Sequence, residues 1–193
     1  MSEEELIYGC QKRDRNHQRT LYELYCEEMM NLCIRYAKSQ QDAKEILLSG
    51  FKNLFDNFEN FVNANLKREQ DSSPISIKEW IKKEIISSAI QYMRSNKQQH
   101  FVSSTVSVRD IDKNSSTDIT DDEILISVNQ DIIIKALQQL TSPFRTIYNL
   151  HEVDSFSHLE ISKMLDISEY TSKDSLSKAK YNLRKNIARL MPK

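Results

Sequence analysis

The sequence predicts an all-α protein with two helical domains joined by a flexible linker, and three observations carry that prediction. Only 2 Gly and 3 Pro occur in 193 residues while Leu, Lys, Glu, Gln and Arg are frequent, so long helices meet few breakers. Apolar residues recur at three- and four-residue steps along most of the chain, the spacing of one buried helical face. That periodicity disappears over the longest stretch in a Ser, Thr, Asp and Asn-rich segment that includes DKNSSTDITDDE. The length suits two modules of this kind, because single cores commonly close at about 100 to 150 residues.

Leu6, Ile7 and Cys10, and then Leu21, Leu24, Tyr25, Met29, Leu32, Cys33 and Tyr36, give the opening amphipathic pattern. Asp42 is placed to cap the next helix, with Glu45 in a box-like position and Ile46, Leu47, Phe51, Leu54, Phe55 and Phe58 as its apolar stripe. Residues 63–76 are polar, contain Pro74 and read as an exposed loop. Ile77 to Asn96 resumes the helix, with Trp80, Ile81, Ile85, Ala89, Ile90 and Met93 on one face. These elements form the expected first domain, 1–98, and 99–123 forms the linker. In the second, 124–193, Ile124 to Leu140 is helical and Pro143 opens a further helix. That helix is Phe144 to His151, and two more follow at Ser157 to Leu165 and Ser168 to about Leu190.

The net charge of -1 hides a segregation, since Arg109 to Glu123 is mainly acidic and Lys173 to Lys193 mainly basic. The basic end suits an anionic partner. No apolar run approaches the roughly 20 residues of a spanning helix, and Met1 to Tyr8 is acidic where a signal peptide is basic, so a cytoplasmic protein without membrane insertion is expected. Cys10, Cys26 and Cys33 lack zinc-ligand spacing; Cys26 and Cys33, seven apart, fall on one helical face and read as core. No nucleophile with base and orienter, no Gly-rich phosphate loop and no metal set is present, so neither an enzyme nor a cofactor is expected. His151 and His158 read as ordinary polar positions.

Only Asp166-Ile167 separates the last two helices, which forces the large crossing angle of a helix-turn-helix, with Ile161, Leu165, Ile167, Leu176, Ala179 and Leu183 filling the angle. Ser168 is a good N-cap, so the last helix starts with a positive dipole end suited to phosphate. Its expected exposed positions carry Thr171, Ser172, Lys173, Ser175, Lys178, Lys180, Arg184 and Lys185, the hydroxyl and cationic groups that meet base edges and phosphates in a major groove. Glu169 and Asp174 oppose this reading, because a carboxylate is repelled by phosphate. Asp166 stands where such turns often have Gly, and Asp tolerates the left-handed conformation better than most residues. Arg145 suits either a phosphate or an ion pair with Glu152 or another acid.

LQQLTSPFRTIYNLHEVDSFSHLEISKMLDISEYTSKDSLSKAKYNLRK resembles region 4 of extracytoplasmic-function (ECF) sigma factors of the sigma-70 family, particularly those of Bacteroidetes type. EEELIYGCQKRDRNHQRTLYELYCEEMMNLCIRYAKSQQDAKEILLSGFKNLFDNF resembles regions 2.1 and 2.2, and IKEWIKKEIISSAIQYMRSNK resembles regions 2.3 and 2.4. The resemblance implies a transcription initiation factor that joins core RNA polymerase to promoter DNA, with a membrane anti-sigma factor as a frequent companion. It implies that Asp42, Glu45, Ile46, Leu47, Leu48, Ser49 and Phe51 lie on the helix that grips the clamp helices of the polymerase largest subunit. Trp80 and the helix through Lys97, with Lys82, Lys83, Ser87, Gln91 and Arg94, match the part that binds the minus-ten element. Ser168 to Lys180, Tyr170 included, match the reader of the minus-thirty-five element, and the linker resembles the segment that threads the RNA path. Leu48-Ser49 departs from the family's usual Gln followed by Glu or Asp, and Ser87 from its usual Asn.

On physical grounds alone, strand capture needs cations for the backbone and an aromatic or polar pocket for an unstacked base, which Trp80, Lys82, Lys83, Tyr92, Arg94 and Lys97 supply. Trp80 lies on the apolar stripe, however, and reads first as core, as do Phe51, Phe55, Phe58 and Phe61. The competing expectations are a helix-turn-helix regulator without effective polymerase binding and a helical adaptor with no salt-sensitive DNA binding.

Overall fold

The computed structural model describes residues 2–66, 75–95 and 128–191. The described residues are helical with no strand, and the chain divides into two compact units, Met1–Ser95 and Asn96–Lys193. The predicted linker 99–123 lies outside the described residues, as does the start of the helical pattern predicted from Ile124.

In the first unit, α1 (Glu3–Gln11) opens with a capping box: Glu5 N–H donates to Ser2 Oγ at 3.1 Å, and Ser2 N–H to the Glu5 carboxylate at 2.9 Å. Asp14 caps α2 (Arg15–Tyr36) by accepting from the N–H groups of Asn16 and His17. The buried arc of α2 holds Leu21, Met29, Leu32, Cys33 and Tyr36. Leu24 falls beyond the edge of that arc and is 63% exposed, and Cys26 is only half-buried, so neither is the core residue predicted.

Helix α3 (Gln40–Asp56) is capped by Ser39 and not by Asp42, since Asp42 N–H donates to Ser39 Oγ at 3.1 Å. Asp42 sits one turn inside the helix, where its carboxylate accepts from the Tyr92 hydroxyl at 2.9 Å. Ala43, Ile46, Leu47, Gly50, Phe51 and Leu54 turn inward, and α3 packs most extensively on α5 (Ile77–Ser95). That approach is closest at Gly50, where an added Cβ would meet the Ile85 side chain and lie 3.2 Å from its Cα.

The stripe predicted to run on through Phe58 breaks at Asn57, and α4 (Phe58–Leu66) is a separate helix that takes in residues predicted as loop. Phe58 and Phe61 are buried with centroids 5.7 Å apart, and Phe61 lies 5.7 Å from the half-buried Trp80. Asn65 bonds both ways with the Ile75 backbone, accepting from its N–H at 2.8 Å and donating to its carbonyl at 3.2 Å. Helix α5 buries Ile77, Ile81, Ile85, Ile86, Ala89, Ile90 and Met93, each large side chain worth about 1.5–3 kcal/mol of transfer free energy.

In the second unit, Asn129 caps α6 (Gln130–Gln138), and Pro143 occupies the first turn of α7 (Ser142–Tyr148), where a missing N–H costs nothing. The helix predicted to reach His151 ends in a π turn, Asn149–Val153, which closes on an Asp154 N–H to Asn149 carbonyl bond of 2.8 Å. Helices α8 (His158–Leu165) and α9 (Glu169–Leu190) follow. Ile147, Leu150, Ile161, Leu165, Leu176, Ala179, Leu183 and Ile187 form the core, and Asn186 ties α9 to α6 by donating to the Ala136 carbonyl at 3.2 Å. Among the described residues no helix is long and apolar enough to cross a membrane.

Candidate nucleic-acid interface

Local caps set helices α8 and α9 and the turn between them. Ser157 and Glu160 form a capping box at the start of α8. Asp166 ends it in the left-handed conformation, φ 57° and ψ 51°, with its N–H on the Ser162 carbonyl. Ser168 then caps α9, accepting from Thr171 N–H at 2.9 Å and lying 2.8 Å from the Thr171 hydroxyl. An αL residue followed at once by a capped helix reverses the chain without a loop, and a cap of this kind contributes about 1 kcal/mol. Apolar residues fill the angle between the two helices.

The exposed side of α9 carries Tyr170, Lys173, Ser177, Tyr181, Arg184, Lys185 and Arg189. Tyr170, 76% exposed, stands in the first turn beside Lys173, and Tyr181 continues the same stripe at 50% exposure. Cations therefore outnumber acids on this side, where Glu169 is the exposed carboxylate. Asp174 is paired with Lys178 at 2.9 Å, which removes much of the repulsion it would offer a phosphate and engages Lys178 as well. Lys180 reaches Glu152 on the π turn at 3.0 Å. Burial opposes ionisation of Glu152, but its bonds from Lys180 and His151 outweigh that and hold its pKa below the ordinary value.

Three predicted DNA contacts are internal. Ser172 is fully buried, with Oγ 2.9 Å from His158 Nδ1, and Ser175 is buried beside Leu176. Both share the spacing of the apolar stripe, four and one residues before Leu176, so their position and not their hydroxyl decides which way they face. Arg145 is 3% exposed, so it is not a surface cation. Its guanidinium donates to the carbonyls of Gln138, at 3.2 Å, and Leu140, at 3.0 Å, and to Ser142 Oγ at 3.4 Å, so it closes the end of α6. Thr171 is half-buried and engaged by its cap.

In the first unit, Lys83, Ser87, Gln91 and Arg94 succeed one another at steps of four and three on α5 and are all exposed, whereas Lys82 and Trp80 are half-buried. Glu84, beside them, is half-buried, and burial pushes its pKa up. Lys97 lies outside the described residues. On α3, Glu45, Leu48 and Ser49 face outward with Lys44 and Lys52, and Leu48 is 60% exposed. Ile46, Leu47 and Phe51 are buried, so they shape this helix from within and do not present a surface, and Asp42 is half-buried on Tyr92. Sequence reasoning did not place Tyr181 or the Asp42–Tyr92 bond; the first was legible from its spacing to Tyr170 and Ser177, the second had no local signal.

Residues 130–183 match the family model described as sigma-70, region 4. The match lies within the second unit and runs from the start of α6 through most of α9. No curated protein gives a significant match to the chain.

Proposed function

We propose that this chain is a sigma factor of the extracytoplasmic-function type: the second unit reads the minus-thirty-five element and the first holds core RNA polymerase and the minus-ten element. The observation that carries the reading is a capped, cation-rich α9 that follows an αL turn inside the stretch matching sigma-70 region 4. In a major groove the first turn of α9 would reach base edges through Tyr170 and Lys173, while Arg184, Lys185 and Arg189 lie farther along for the backbone.

Support for the first unit is the helical order seen in its sequence, with an exposed polar row on α5 and an exposed face on α3. Leu48 makes the α3 contact more apolar than the family's usual polar pair, so polymerase binding here would rely more on surface burial than on charge. Each unit alone binds weakly, and tethering them raises the effective concentration of the second contact. The proposal needs no catalytic residue and no cofactor, and it places the protein in the cytoplasm; an anti-sigma factor would be an additional partner. Selection of genomic fragments with the chain and core polymerase tests it: enrichment of sites with two elements at fixed spacing supports the reading, and no enrichment overturns it. A second reading, a regulator that binds duplex DNA without polymerase, follows if Leu48-Ser49 does not functionally replace the family's usual polar pair, and selective DNA binding with no co-purifying polymerase subunits would establish it.

A further inference from the structure

The π turn presents two side chains to the helix-turn-helix. The His151 ring stacks on His158, with centroids 4.4 Å apart and planes at 26°. His158 is the first residue of α8, and its Nδ1 lies 2.9 Å from Oγ of the fully buried Ser172 on α9. His151 Nδ1 lies 2.8 Å from one oxygen of Glu152, whose other oxygen accepts from Lys180 at 3.0 Å. A continuous polar chain, Ser172 to His158 to His151 to Glu152 to Lys180, thus leaves α9 and returns to it two turns later. Apolar contacts in the same angle are non-directional and tolerate small rotations of α9. Two polar attachments about 12 Å apart along the axis do not.

We propose that His158, backed by His151, is a positioning residue: through Ser172 it sets the rotation of α9 about its axis, and protonation of His158 loosens that setting. The inference rests on the reading of α9 as a DNA-contacting helix. Two imidazoles in contact in a half-buried place resist a second positive charge, and Lys173 on α9 adds to the resistance, while Glu152 and Glu169 offset part of it. Desolvation first, then His151 and Lys173, hold His158 below its ordinary pKa. Near neutrality its Nδ1 is free to accept from or donate to Ser172 Oγ. Once protonated it only donates, so a serine hydroxyl that had donated to Nδ1 must turn to another acceptor.

The test follows the imidazole and backbone resonances of the full chain by NMR between about pH 8 and pH 5, and measures its preference for selected over scrambled duplexes across the same range. His158 is expected to titrate below 6.5, with the amides of Ser172 and Lys180 following the same curve, and in His151→Phe the midpoint moves up. Ser172→Ala is expected to lose about three- to ten-fold of the preference at neutral pH, the equivalent of one neutral hydrogen bond, and to flatten the pH profile. His158→Asn, which keeps a hydrogen-bonding atom near the Nδ1 position but cannot titrate, retains the preference and loses the pH dependence. A His158 midpoint at or above 6.5, or a Ser172→Ala chain with wild-type preference and pH profile, would overturn the inference. Failure to select any duplex would overturn the reading of α9 instead, and the shared titration of Ser172 and Lys180 would then decide the positioning role alone.

Discussion

Arg145 shows how far a residue's type can stand from its task. A cation just after a helix-opening proline looks made for phosphate, yet it is enclosed and holds the carbonyls that end α6. Arg145→Ala should destabilise the second unit by about 2–3 kcal/mol, because it strands buried acceptors, and urea unfolding would show it. A change under about 0.5 kcal/mol, normal for a surface site, would contradict the assignment. Burial likewise pushes the thiols of Cys10 and Cys33 up, to about 11 and about 12. Alkylation of the native chain with iodoacetamide, mapped by mass spectrometry, should therefore mark the half-exposed Cys26 first. At this scale the sequence was legible wherever spacing and type agreed, as at Leu176 and Ala179. It misled where they conflicted, as at Ser172 and Ser175, whose polarity suggested solvent while their register put them inside.

Among the elements, caps were readable to within a turn: Ser168 and Asp166 behave as their chemistry predicts, while the role given to Asp42 belongs to Ser39. The break at Asn57 and the π turn were not readable, since the apolar period continues across the first and the second depends on closure against α8 and α9. The α3–α5 contact makes a firm prediction. Gly50→Ala gains up to about 1 kcal/mol of helix propensity but drives a methyl into Ile85, and overpacking of that kind costs about 1–3 kcal/mol, so the first unit should lose stability in thermal unfolding. The helix-turn-helix should also weaken in acid. His158 has a folded pKa below its unfolded value, so the stability it contributes is complete above 6.5 and is lost as pH falls through the folded value. Glu152, also lowered, adds a further loss below 4.5. Denaturation midpoints at pH 7 and pH 5.5 check the first of these, and a midpoint that rises on acidification would contradict it.

For the molecule as a whole, the division into two units carries the functional argument, because the region 4 match covers residues 130–183 and the role of the first unit rests on its exposed helix faces. The helix-turn-helix was legible in the sequence because its turn is short and its caps are local. Which side chains of α3 and α5 face outward was not, because burial there is settled by packing between helices distant in sequence. If α9 lies along duplex DNA, Lys173→Glu should weaken binding to all sequences and lower the slope of log affinity against log salt by at least about 0.9. The most direct measurement of the central claim is run-off transcription from selected genomic fragments by core RNA polymerase with and without the purified chain. The account predicts start sites that appear only when the chain is added and vanish with Lys173→Glu; transcripts identical in the presence and absence of the chain would contradict it.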